Sequence, residues 1–161
     1  MSYRQILIVV TMLAVATISL AWASEIFGGL APCALCLQQR LPYYVAVPVL
    51  VMMVLAGQRL SATPWLIAAV GGVFLMSAWL AGYHAGVEYG WWTGPDTCGG
   101  GGGLPSSTAA LAEALKSAKV VRCDEAAFSL FGISMAGYNF LMSLLLAGLC
   151  GAGFRAAQTA R

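Results

Sequence analysis

Four apolar stretches, at residues 6–23, 41–56, 65–83 and 133–154, dominate what this chain can fold into. Each is near the roughly 20 residues a helix needs to cross a hydrocarbon core. A segment in lipid must satisfy its own backbone hydrogen bonds, so each stretch reads as a transmembrane helix. Composition agrees: of the 161 residues, 60% are hydrophobic and 9% charged. A soluble domain carries roughly 25% charged residues, so this chain lacks the side chains to cover a water-facing surface. The expectation is an all-α membrane protein, a four-transmembrane-helix bundle forming one domain over residues 1–161. The second span is the shortest and holds Pro42 and Pro48. Pro42 is expected in the first helical turn, where no backbone donor is missed, and Pro48 to kink the helix. A net charge of +2, with no basic stripe interleaved with aromatics, excludes a nucleic-acid-binding protein.

Charge placement sets the orientation. With four spans, both termini and the connection after residue 56 share one side, which carries Arg4, Arg59, Arg155 and Arg161 and no acid. By the positive-inside rule that side is cytoplasmic. Glu25, Glu88, Asp96, Glu113, Asp124 and Glu125 fall on the other side, with Arg40, Lys116, Lys119 and Arg122. Two loops, at about 24–40 and 84–132, are therefore extracytoplasmic. Ala21-Trp22-Ala23 resembles a signal-peptidase site, but the preceding apolar run is longer than a signal peptide's, which favours a retained first helix.

The first loop ends in Pro32-Cys33-Ala34-Leu35-Cys36-Leu37-Gln38-Gln39-Arg40. A C-x-x-C pair serves as a redox centre, as half of a zinc site, or as a structural disulfide. With the hydrophobic run starting at Leu41, Cys36 falls just ahead of the expected helix. If the stretch to Arg40 is already helical, the i, i+4 spacing puts guanidinium and sulfur on one face, favouring thiolate over thiol. His84, the one histidine of the chain, emerges from the third span on the same membrane side. It reads equally as an interfacial hydrogen-bonding group or as part of the same site. Tyr89, Trp91 and Trp92 read as an aromatic belt.

The second loop holds Cys98, five glycines at 99–103, a candidate surface helix over 107–121, and Cys123. Cys150 lies within the last span and reads as a packing residue. The four loop cysteines are thus even in number, extracytoplasmic, and split two and two, which favours two disulfides. A zinc site on Cys33, Cys36, Cys98 and Cys123 is the alternative, although the second pair lacks a zinc-knuckle spacing.

The C-x-x-C segment, Tyr83-His84-Ala85-Gly86-Val87-Glu88, Gly94-Pro95-Asp96-Thr97-Cys98, Cys123 and Phe131-Gly132-Ile133-Ser134-Met135-Ala136 together resemble the disulfide bond formation protein B (DsbB) family. The order of spans and loops matches over nearly the whole chain. The resemblance implies a bacterial inner-membrane enzyme that reoxidises a DsbA-like periplasmic thiol oxidase and passes the electrons to a quinone, ubiquinone or menaquinone. It implies that Cys98 and Cys123 form the disulfide attacked by the partner, with Cys98 in the mixed disulfide. Cys33 and Cys36 would reoxidise that pair, Cys36 facing the quinone. Arg40 would hydrogen-bond a quinone oxygen, and His84 would line the same pocket. The glycine run and the compact second loop depart from the family pattern. A rival resemblance is to vitamin K epoxide reductase-like enzymes, where the active C-x-x-C is expected near the last span rather than before the second.

Overall fold

Helix formation follows the apolar stretches, with ends that composition alone does not mark. The computed structural model describes residues 2–56, 63–95 and 122–159. Among them are helices α1 (Tyr3–Ile26), α2 (Ala34–Ala56), α3 (Thr63–Glu88) and α4 (Met135–Thr159). All four are long and apolar enough to cross a membrane, so the protein is a multi-pass, four-helix membrane protein. Cys98, the five glycines and the segment 107–121 lie outside the described residues.

The helix ends correct the sequence reading in two places, and both matter to the site. α2 begins at Ala34 rather than at Leu41, because Ala34, Leu35, Leu37, Gln38, Gln39 and Arg40 are all good helix formers behind Pro32. Pro42 is therefore inside the helix, and its missing donor leaves the Gln38 carbonyl without the usual bond. α3 runs on through His84 to Glu88. It stops in a Schellman arrangement, with Trp91 N–H donating to Gly86 O at 2.8 Å and Gly90 N–H to Val87 O at 3.1 Å. Gly90 takes φ +72 there, a conformation that costs a glycine nothing. Trp92 then folds back across Gly86, where any side chain would strike the indole.

α1 opens with a capping box between Ser2 and Gln5 and runs unbroken through Ala21-Trp22-Ala23. Before α4 the chain makes a hairpin, β1 (Ser129–Leu130) paired antiparallel with β2 (Ile133–Ser134). Phe131 and Gly132 both take positive φ, as a two-residue hairpin turn requires. Ser134 then caps α4 by accepting from Gly137 N–H at 3.1 Å.

The core inside the bundle joins Leu7 and Val10 of α1, Leu50 of α2, Ile67 and Phe74 of α3, and Leu146 and Cys150 of α4. α3 and α4 make the most extensive contact. Small residues allow it: a Cβ on Gly71 would come within 3.1 Å of Cys150, and one on Gly153 would clash with Ile67. Cys150 is a free, fully buried thiol in that contact. Leu20, Leu55, Trp65 and Trp79 point outward and are well exposed, the surface expected to meet lipid tails.

Candidate active site

Because α2 starts at Ala34, Cys33 occupies its N-cap. Its carbonyl accepts from Leu37 N–H at 3.1 Å, and its sulfur accepts from Cys36 N–H at 3.1 Å. A cap sulfur sits where unpaired amides and the helix dipole favour negative charge. The Cys36 sulfur lies 2.7 Å from that of Cys33, close enough that thiol and disulfide states interconvert with little backbone movement. Hydrogen bonding from Cys36 holds the Cys33 thiol well below the ordinary range; burial of the sulfur opposes this, and bonds from His84 and the Cys36 amide add to it. The sequence reading put the thiolate on Cys36 beside Arg40. Here the groups that stabilise a thiolate converge on Cys33, because the helix begins earlier than the hydrophobic run.

Arg40 is buried, and its charge is already matched. Nη1 donates to Glu25 Oε2 at 2.6 Å, Nη2 to Ala21 O at 3.3 Å, and the guanidinium lies 5.1 Å from the centre of the Trp22 ring. It ties the start of α2 to the end of α1.

His84 is almost fully buried, with Nε2 3.6 Å from the Cys33 sulfur. Its tautomer is set by a chain of side chains reaching into the bundle. Tyr43 OH donates to Asn139 Oδ1 at 2.7 Å, and Asn139 Nδ2 donates to Gln39 Oε1 at 2.7 Å. Gln39 therefore turns its NH₂ to His84 Nδ1, 2.6 Å away. With Nδ1 accepting, the ring proton is on Nε2 and points at Cys33. Ser143 and Ser77 continue the polar chain at the Tyr43 end. Glu88, one turn beyond His84, brings Oε1 to 3.8 Å from the same Nε2.

Cys123 sits almost fully buried against Cys33, Leu35 and Val87, and its sulfur is in a disulfide. The ligand atoms of Cys33, His84 and Cys123 all lie within 4.8 Å of one another. A disulfide sulfur is not a thiolate ligand for zinc, so in this state the cluster is arranged for sulfur exchange rather than metal binding. Cys33 and Cys36 are both free thiols.

These groups border a cavity of about 470 Å³, within the range of small-molecule sites. Cys33, Cys36, Gln39, Arg40, His84 and Glu88 are among its lining residues, with apolar residues such as Ile18, Leu30, Met135 and Met142. An apolar chamber edged by a few polar side chains suits a flat apolar carbonyl compound, and Glu88, whose Oε2 lacks a partner, could donate to a carbonyl only as the neutral acid. The residues present fit a quinone.

The structure thus gathers Cys33, Cys36, His84 and Cys123, with Arg40 on the same cavity wall. Gln39, Asn139, Tyr43 and Glu88 were not singled out by sequence reasoning. Polar side chains within or at the end of apolar spans are the signal that could have found them.

The depressed Cys33 thiol makes a direct prediction. A lowered pKa keeps the thiolate populated as pH falls, so alkylation of reduced Cys33 should stay nearly constant from about pH 8 to below neutral. An ordinary thiol, with pKa about 8.5, slows about tenfold per unit there. His84→Ala should shift the profile upward. Peptide-resolved alkylation rates check this, and an ordinary profile in the unaltered protein would refute it.

Comparison with known proteins agrees with this chemistry. The family described as disulfide bond formation protein DsbB matches residues 3–153. An uncharacterized protein of Rickettsia prowazekii (strain Madrid E), RP370, is 26% identical over 146 residues, covering 89% of this chain and 83% of that protein. No solved structure matches significantly. A free C-x-x-C pair beside a disulfide sulfur, on four membrane-spanning helices matched over nearly their whole length, places the chain in the DsbB family of membrane thiol oxidoreductases that form disulfide bonds.

Proposed function

We propose that the protein reoxidises a DsbA-like thiol oxidase of the bacterial periplasm and passes the electrons to a quinone of the inner membrane, with both termini cytoplasmic. The observation that carries this reading is the meeting of Cys33 with Cys36 and with Cys123, where Cys33 and Cys36 line an apolar cavity large enough for a quinone ring. A water-soluble dithiol and a lipid-soluble acceptor can both reach a site only at the membrane boundary.

Cys98 and Cys123 form the disulfide that the reduced partner attacks, with Cys98 taken into the mixed disulfide. Cys123 leaves as a thiolate beside the oxidised Cys33–Cys36 pair and attacks the Cys33 sulfur, releasing Cys36. The second thiol of the partner resolves the mixed disulfide, and Cys98 then resolves the Cys33–Cys123 link. The result is the arrangement described above, with Cys123 in a disulfide and the C-x-x-C pair reduced.

A bound quinone supplies a two-electron, two-proton acceptor. Cys36 presents its sulfur to the cavity, and His84 Nε2–H steadies negative charge on Cys33. Arg40, paired with Glu25, holds α1 against α2 and keeps its guanidinium in the cavity lining. The apolar lining keeps bulk water from the sulfurs.

The test is anaerobic mixing of purified protein with reduced DsbA and a soluble quinone analogue while quinone absorbance is followed. Reduction at one quinone per dithiol is expected; no reduction, with both cysteine pairs intact, overturns the reading.

A further inference from the structure

Among the described acids of the cavity, Glu88 is the one without an opposing charge. Glu25 is matched by Arg40 and Glu125 by Arg122. The Glu88 side chain is 6% exposed, and its Oε2 has no hydrogen-bond partner. Ionised beside a Cys33 thiolate, it would put a second negative charge, with an unsolvated oxygen, on one side of an apolar chamber. His84 offers no relief as a base. Its Nε2 already carries the proton directed at Cys33, and its Nδ1 is occupied by the Gln39 amide.

We propose that Glu88 is the proton-exchanging group of the Cys33–Cys36 pair, a neutral acid while the pair is reduced and a carboxylate while it is a disulfide. The inference deepens the quinone reading above and rests on it for the electron acceptor. The steps balance. On oxidation, the Cys33 thiolate and Cys36 thiol lose two electrons and form the sulfur–sulfur bond. The Cys36 proton and the Glu88 proton go with those electrons to the quinone, giving the quinol, and the negative charge moves from Cys33 to Glu88. When an incoming dithiol re-reduces the pair, one of its two protons returns to Cys36 and the other to Glu88.

The geometry carries the switch through His84 Nε2–H, which lies 3.6 Å from the Cys33 sulfur and 3.8 Å from Glu88 Oε1. It serves whichever of the two bears the charge. Among the described residues, the titratable groups facing Glu88 are His84 on its own helix, Cys33 at the N-cap of α2 and Cys36 on α2. Arg40 with Glu25 and Arg122 with Glu125 line the chamber as pairs. The Tyr43 and Tyr138 hydroxyls there are hydrogen-bonded.

The experiment is the pH dependence of the Cys33–Cys36 reduction potential in quinone-stripped, full-length protein. It is read by peptide-resolved alkylation in thiol buffers and corrected for the buffer's own pH dependence. Two protons per two electrons change the equilibrium constant a hundredfold per pH unit, about 59 mV; one proton changes it tenfold, about 30 mV. Around neutral pH the unaltered protein should follow two protons, Glu88→Gln one, and Glu88→Asp two again. Equal slopes in the unaltered protein and Glu88→Gln overturn the proposal. If Glu88→Gln does not fold, the infrared difference spectrum decides. A carboxylic-acid carbonyl band should appear on reduction of the unaltered protein and move in Glu88→Asp; its absence overturns the proposal. No quinone enters these measurements. A slope change without quinone reduction would therefore sink the acceptor assignment alone, and quinone reduction with equal slopes would sink Glu88 alone.

Discussion

Cys33→Ser and Cys36→Ser should each lose quinone-coupled oxidation of a partner dithiol, by on the order of 10⁴-fold or more, the scale seen when a covalent nucleophile is removed. The two variants should fail differently. Cys33→Ser removes the sulfur that lies within 4.8 Å of Cys123, so electrons stop at the second loop while a mixed disulfide with the partner still forms there. Cys36→Ser leaves the Cys33 thiolate able to attack Cys123 in its disulfide, releasing Cys98, but removes the sulfur that would complete the C-x-x-C disulfide. It should accumulate a Cys33–Cys123 bond, visible as a cross-linked peptide pair by mass spectrometry. Full turnover in either variant would show that the pair is structural.

Arg40 is expected to be the next most sensitive position. Arg40→Gln removes the charge from the cavity wall and leaves Glu25 without its 2.6 Å partner. Hydrogen bonds to charged groups contribute about 1.5–3 kcal/mol, so the KM for quinone should rise roughly 10- to 100-fold. Arg40→Lys keeps the charge but cannot hold Glu25, the Ala21 carbonyl and the Trp22 face at once. Its KM should rise less, with part of the turnover kept. Glu25→Gln separates two roles. If Arg40 acts only as a clamp between α1 and α2, Glu25→Gln reproduces Arg40→Gln. If its guanidinium meets the quinone, Glu25→Gln leaves KM far less affected. An unchanged KM in Arg40→Gln would remove the arginine from the quinone site.

The position of Cys33 explains why a C-x-x-C at a helix start suits an oxidant. Hydrogen bonds from Cys36 and His84, with the Cys36 amide, stabilise the reduced pair by stabilising its thiolate. A stabilised reduced state is a strong pull on electrons. The amide chain through Gln39 and Asn139 keeps His84 in the donor tautomer, so α4 bears on the chemistry of a sulfur it does not touch.

Hydropathy by itself determined that the chain crosses the membrane four times, since no other structure satisfies four such stretches. Cysteine placement, two ahead of the second span and two ahead of the fourth, favoured disulfide chemistry over a zinc site. Helix ends were not legible, because the expectation took the start of α2 from the apolar run at Leu41. The helix starts instead where Pro32 and Cys33 allow a cap. That shift moved the favoured thiolate from Cys36 to Cys33 and gave Arg40 to Glu25. The rest was decided by packing across long sequence separation. His84 is 51 residues from Cys33 and Asn139 is 100 from Gln39, and no local spacing rule connects residues that meet only because α2, α3 and α4 converge at one end of the bundle. The role argued for Glu88 has the same origin. In the sequence it is one acid among six; buried with an unpartnered oxygen beside the one histidine, it becomes the group that must change charge when the sulfurs do.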